Sequence, residues 1–420
     1  MRRIILFVIF FICLPYCFTR PWFGMLIYSW ISYMNPHRYA WIEFPFAEIA
    51  AIAVLAGYLL TKDKDKFHME RETVIILILW AWFVLTTFTA FNFSVALPML
   101  EKTSKVLLMA LMTLPLINTK DKLRYLVLVI ALSLGLLGLK GAVFSAITGG
   151  VHTVRGPDGS FIAGEGDFGL ALNMTLPLLF FQARNESKKW MKILLYACFL
   201  GSIVSIIFTF RRGSFLALAV VIFLLLLKSN RKIIVGILVA AAIFSTPYWI
   251  PGKWFGRMET IETYEEDYSA MGRINAWKMA WNIALDRPLI GGGFETWKTA
   301  YRIKYKPYPG AIMAGDVHSI YFEILQEQGF IAFGFFMALL ASVLLSMQRL
   351  KWKFKNIKSC SWICNYADML QVSILAYMAA GVFLGRAYFD LFYHLVIISV
   401  LVKVFAKQEL EKISQSEQPP

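Results

Sequence analysis

Charge is what this sequence has least of. Only 16% of its 420 residues are Asp, Glu, Lys or Arg, while 58% are hydrophobic and the mean hydropathy is +0.60. A soluble globular domain carries ~25% charged residues, so that class is excluded. So much apolar surface also excludes a disordered chain. Cysteine is sparse. Cys13, Cys17 and Cys198 lie in apolar runs, and Cys360 and Cys364 in a basic loop expected in the cytoplasm. No disulfide framework is therefore expected. The Cys360-x3-Cys364 spacing has no second ligand pair beside it, against a zinc site. No HExxH, CxxC or GxSxG occurs, and Gly291-Gly-Gly293 lacks the Lys-Ser/Thr of a phosphate loop. Asp63-Lys-Asp65 has the form of a metal-binding Asp-x-Asp, but it stands in a Lys/Asp linker and reads as a solvated charge run. No metal and no cofactor are expected.

What the sequence does have is long apolar runs, such as Ile193–Phe210 and Phe215–Leu227. One spanning helix needs ~20 apolar residues. The alternating ~10-residue strands of a membrane barrel are absent. The runs predict an all-α polytopic membrane protein of about twelve spans. These lie near 4–19, 44–60, 73–91, 103–118, 123–141, 166–183, 190–209, 213–228, 231–250, 329–347, 367–385 and 388–406. Arg2-Arg3 before Ile4–Phe18 imitates a signal peptide. No small-residue cleavage site follows it, so it reads as an uncleaved first span. Trp22–Met34 is aromatic-rich and fits the membrane interface.

The positive-inside rule orients the spans. With the N-terminus inside, most Lys and Arg fall in inner segments, as in Lys62–Arg71, Arg184–Lys192 and Arg349–Lys358. The expected organisation is residues 1–250 with nine spans, 251–317 as a long outer loop holding amphipathic helices, 318–406 with three spans, and 407–420 as a disordered cytoplasmic tail. Within the loop, Ser269–Leu285 predicts an amphipathic helix ended by Asp286-Arg-Pro-Leu-Ile-Gly-Gly-Gly. The net charge of +15 would suggest nucleic acid in a soluble chain. Here it sits in inner loops and meets membrane lipids, and no nucleic-acid partner is expected.

Polar residues at span ends carry the functional signal. Lys140, Glu165, Asp167, Arg211, Arg212, Arg386 and Asp390 all fall at predicted outer ends. That places a site at the interface. A transporter would show polar groups or broken helices near the midplane. Phe210-Arg-Arg-Gly-Ser214 is an outward hairpin with two arginines at a helix N-terminus, with Ser214 available as cap. Helix N-termini attract anions, and arginine forks bind phosphate oxygens. The bland reading is snorkelling onto lipid headgroups. His318 opens the segment running to Gly329. On a helix it would share a face with Tyr321, Phe322 and Leu325, away from Glu323 and Glu327. It could act as a general base, or simply be a packed histidine. His394, four residues after Asp390, reads as structural.

These motifs in order resemble the O-antigen ligase and polymerase superfamily. They are Arg212-Gly213, then Arg273-Ile-Asn-Ala-Trp277, then Pro288-Leu-Ile-Gly-Gly-Gly293, then His318-Ser319 through Gly329. Ser32-Tyr-Met-Asn-Pro-His-Arg38, Phe44-Pro-Phe46, Thr263–Asp267 and Ala270–Arg273 look closest to putative O-glycosylation ligases associated with exosortase systems. The resemblance implies a membrane-embedded glycosyltransferase. Its donor would be an undecaprenyl-diphosphate-linked glycan, and its acceptor a glycan, lipid or protein hydroxyl at the periplasmic face. The transfer would be inverting and metal-independent. It assigns diphosphate binding to Arg212 and Arg273, with Arg211 beside them, and the base to His318. Arg386, Asp167 and Glu327 are candidate supporting residues. A polysaccharide polymerase or a protein O-oligosaccharyltransferase would use the same donor. A lipid-linked glycan transporter or a non-catalytic assembly partner fits the polar pattern less well.

Overall fold

The computed structural model describes residues 2–228, 268–299 and 303–416. Among these the chain is helical, with no strand. The helices, in order, are α1 (Arg2–Thr19), α2 (Pro21–Met34), α3 (Pro36–Tyr39), α4 (Phe46–Leu60), α5 (Arg71–Phe88), α6 (Phe93–Leu116) and α7 (Lys120–Ile147). They continue with α8 (Glu165–Asn185), α9 (Lys189–Ile207), α10 (Arg212–Lys228), α11 (Tyr268–Asp286), α12 (Ile320–Phe354), α13 (Ser361–Gly381) and α14 (Asp390–Ser416).

Among the described residues, four helices are long and apolar enough on their own to cross a membrane: α5, α7, α9 and α12. The other expected runs are helical too, except 231–250, which lies outside the described residues. α6 starts at Phe93, ahead of the expected 103, with Asn92 accepting from the Val95 amide as its cap. α14 runs to Ser416, beyond the 407 boundary expected of a disordered tail. The reason is that Leu410 and Ile413, three residues apart, still pack on the core.

Burial separates the helices into centre and rim. α8 is buried almost throughout from Asp167 to Ala183, and α14 from Leu391 to Val402. The flanks turn apolar side chains outward, as at Ile4, Ile12, Ile52 and Leu59. That inside-out pattern suits a lipid-facing rim, where apolar exposure costs nothing. α7 packs along α9 and α8, α8 against α13, and α12 between α5 and α13. Small residues let α7 and α9 approach closely. A Cβ on Gly138 would stand 2.3 Å from the Ser202 hydroxyl, and one on Gly201 2.7 Å from the Leu139 Cα. Such close approach drives helix association where hydrophobic burial cannot.

The decisive local feature is a break in α12. Gly329 has φ 76° and ψ −177°, so two helical segments meet there. The break frees backbone groups that need partners. Pro288–Gly293 supplies them. The amides of Gly292 and Gly293 donate to the carbonyls of Gln326 and Glu327, each at 2.8 Å, and the Phe330 amide donates to Pro288 O at 2.8 Å. Trp82 Nε1 donates to Gln328 O at 3.0 Å. A side chain on Gly329 would meet the Leu289 carbonyl at 2.3 Å, and one on Gly291 the Gln326 carbonyl at 2.6 Å. The Pro-x-x-Gly-Gly-Gly run is thus a backbone splint for the broken helix.

Candidate functional site

The break sets where the segment before it can go. The first part of α12 begins at Ile320, so His318 precedes the helix and does not share its face. Its backbone is left-handed at φ 49°, a conformation that costs ~1–3 kcal/mol for a non-glycine residue. Four contacts from α11 hold this turn and the chain leading into it. Trp277 Nε1 donates to Val317 O at 2.9 Å, and its ring stacks on Phe322 at 5.4 Å. Asn275 Nδ2 donates to Ile312 O at 3.0 Å, and the Ala314 amide donates to Gly272 O at 3.1 Å. The Arg273-x3-Trp277 spacing therefore ties one helix to the histidine turn and sets Arg273 within it.

His318 Nδ1 lies 3.9 Å from Asp316 Oδ2, and both side chains are partly open, at 34% and 25% exposure. Asp316 is the carboxylate that sequence reading missed. The signal was its place two residues upstream, across a turn. Asp316 sits over Gly385, where a Cβ would be 3.0 Å from Oδ2. Burial lowers the His318 pKa below the ordinary histidine value. Asp316 opposes that shift, Arg273 and Arg211 add to it, and Asp167 again opposes it. The net shift favours the neutral imidazole, the form able to accept a proton. Burial pushes the Asp316 carboxyl up, with His318 and Arg386 pulling it back.

The arginines arrive from three elements. Arg386, in the loop between α13 and α14, forks onto Asp167 at the start of α8 (Nε to Oδ1 2.8 Å, Nη2 to Oδ2 2.6 Å). Arg211 Nη2 donates to Glu165 Oε2 at 2.7 Å. The two acidic residues of Glu165-Gly-Asp167 thus anchor one arginine each, beside the positive end of their own helix. Arg212 opens α10. Ser214 then lies inside the first turn rather than before it, with its hydroxyl against Gly169. Gly213 abuts Phe383, in the loop that carries Arg386.

The remaining candidates are structural in placement. Glu323 accepts from the Ala387 amide at 2.7 Å. Glu327 accepts from the Tyr388 hydroxyl at 2.9 Å and from the Glu295 amide at 2.8 Å, so both its oxygens brace the splint. His394 is buried between Tyr33 (3.0 Å) and Thr113 (3.3 Å). All five cysteines are free. Asp63 pairs with Lys122 at the start of α7 at 2.9 Å, and Asp65 with His68 at 3.3 Å.

The site therefore gathers a neutral imidazole, a nearby carboxylate and several guanidinium groups at one end of an apolar bundle. A base beside anion-binding forks can serve a hydroxyl that displaces an anionic leaving group. Two family models match parts of the chain. Residues 197–337 match the family model described as O-antigen ligase, and residues 1–162 match a family of unknown function, DUF5935. No curated protein matches the chain. His318, Arg211, Arg212 and Arg273 all fall inside the first match, and through it the chain carries an O-antigen ligase domain over residues 197–337.

Proposed function

We propose that the protein is a membrane-embedded glycan ligase. It transfers a saccharide from an undecaprenyl-diphosphate carrier to an acceptor hydroxyl at the periplasmic face of the bacterial inner membrane, with both termini in the cytoplasm. The O-antigen ligase domain supports a transferase of the ligase or polymerase type. The finer reading rests on one observation: the half-buried His318, set beside Asp316 and under the influence of Arg273 and Arg211. In this reading Asp316 faces Nδ1, which leaves Nε2 to take the acceptor proton. The hydroxyl oxygen attacks the anomeric carbon from the side opposite the diphosphate, and the carbon–oxygen bond to the carrier breaks with inversion. Arg212 and Arg273 take up the charge of the departing lipid diphosphate. The lipid tail lies along the apolar rim. The exosortase-associated subgroup is a narrower proposal, resting on the Ser32–Arg38 and Phe44–Phe46 motifs.

Reconstitution tests this directly. Purified protein in liposomes is given a lipid-diphosphate-linked glycan and three acceptors: a glycan, a second lipid-linked chain and a Ser/Thr peptide. Bond formation with release of lipid diphosphate is expected. Use of the second lipid-linked chain alone would make the protein a polymerase, and use of the peptide alone a protein O-oligosaccharyltransferase. Movement of intact carrier across the bilayer without cleavage would replace the proposal with a transporter.

A further inference from the structure

A cavity of about 880 Å³ opens between three segments that the proposed reaction does not use. Its walls are Arg38–Glu43 from the end of α3 onward, Leu137–Phe144 toward the end of α7, and the strap Thr153–Gly159. All of them lie within the match to the family of unknown function. The Arg38 end of the Ser32–Arg38 motif thus forms part of its rim.

The lining is chemically mixed. Arg38, Lys140 and Arg155 supply three cations, and Glu43 and Asp158 two carboxylates. Arg155 and Asp158 form a loose pair at 3.8 Å, both largely exposed. The Lys140 ammonium sits 3.4 Å from the centre of the Tyr39 ring. The Arg38 guanidinium lies over Gly159, where a Cβ would stand 3.0 Å from Nη1. Trp41 has a left-handed backbone at φ 53° and is 79% exposed. A strained turn thus holds an indole out at the cavity mouth rather than into the core.

The cavity is also wired to the candidate site. The Val154 amide donates to Phe208 O at 2.9 Å, and Gly150 lies under the Phe208 ring. The strap that forms one wall is therefore bonded to the hairpin that carries Arg211. The Arg155 charge lies close enough to act on Glu165, the partner of Arg211.

We infer that this cavity is the acceptor subsite and takes a saccharide segment bearing acidic groups, an inference that rests on the transfer reading above. A sugar ring has an apolar face that suits an aromatic ring such as Trp41. Its hydroxyls donate to carboxylates such as Glu43, and its acidic groups accept from the Arg38 fork and Lys140. A lipid phosphate would use the cations alone and be opposed by Glu43 and Asp158.

The test is binding by the full chain in nanodiscs of neutral phosphatidylcholine. The probes are a galacturonic acid tetrasaccharide and the neutral maltotetraose. The acidic probe is expected to bind about tenfold tighter or more, an advantage that salt removes. Arg38→Gln and Lys140→Gln should each cut its affinity several-fold, and Arg38→Lys should restore part of it. All three variants should retain the parent's thermal unfolding and its affinity for the lipid-diphosphate carrier. His318→Ala should bind the acidic probe as the parent does. Binding of the acidic probe without any transfer would sink the transfer reading and leave the cavity a saccharide site. Transfer with no binding of either probe, or with no effect of Arg38→Gln, overturns the cavity. A parallel set of nanodiscs doped with phosphatidylglycerol supplies the lipid arm, and retention of that lipid by the parent but not by Arg38→Gln also overturns it, in favour of a lipid headgroup site.

Discussion

Both ends of the helical bundle collect charge, but they do so in different ways. At the end where α5 begins and α14 leaves the core, Glu70, Glu72, Glu186 and Asp368 each have a close cation. Buried Glu72 accepts from Lys403 at 2.6 Å, Ser342 at 2.7 Å and Ser346 at 2.8 Å. Glu70 joins Lys403 and Lys407, Asp368 joins Lys228 and Lys351, and Arg124 holds Glu186 at 2.8 Å. At the opposite end the central pair, His318 and Asp316, stays 3.9 Å apart and partly solvated. Phe210, Glu295 and His318 there all have left-handed backbone. Closed pairs on regular helices act as staples. A loose pair in strained backbone, ringed by arginines, costs stability and is the expected place for substrate.

The largest effects should split along this line. His318→Ala is expected to cut transfer by ~10²–10⁴-fold, the usual worth of a general base, and to leave detergent-solubilised unfolding unchanged. Glu72→Ala should do the reverse. It leaves Lys403 buried without its main partner, a loss of ~3–5 kcal/mol for a broken buried pair. Unfolding temperature should fall sharply while transfer per folded molecule is kept. A Glu72→Ala protein of parental stability but no activity would erase the distinction between the two ends.

Much of the fold was legible because a spanning helix announces itself by length and apolar content. The runs 190–209 and 213–228 became α9 (Lys189–Ile207) and α10 (Arg212–Lys228). The helix at Ser269–Leu285 also matched, because Pro288 and the glycines mark its end. What the sequence concealed depends on distant partners. The break at Gly329 falls where the expected span near 329–347 starts, after Gln326-Glu-Gln328, but the Pro288–Gly293 backbone that answers it from across the fold has no local signal. Arg386 and Asp167 are 219 residues apart, and no local pattern joins them. His318 was placed on a helix because histidine gives no turn signal. Its left-handed turn comes from Trp277 and the break beyond it.

A smaller effect tests whether Asp316 and His318 work as a pair. The base is active when neutral, so transfer should rise with pH through the His318 pKa, which burial holds below the ordinary value. Asp316 favours the protonated ring. Asp316→Asn removes that pull, so the acid limb of kcat/KM should move to lower pH. Arg273→Gln removes a repelling cation and should move the limb the other way. An acid limb that ignores both substitutions belongs to another group.

The smallest expected effect concerns Arg211, where the two ends of the bundle look most alike. Its pair with Glu165 has staple geometry at 2.7 Å, yet the side chains are 50% and 28% exposed. Solvent screening limits such a pair to ~0–1 kcal/mol, so Arg211→Gln should barely change unfolding. Its effect on the carrier separates two roles. If Arg211 only holds Glu165, carrier affinity should fall less than about threefold, while a direct fork on the diphosphate is worth about tenfold or more. The short bond to Glu165 favours the first outcome, and Glu165→Gln supplies the control. With its tether gone, Arg211 is free to swing toward the diphosphate, and carrier binding should tighten. Carrier binding that weakens in Glu165→Gln would instead mean that Arg211 must be held in place to work. The pair would then belong to the site rather than to the staples.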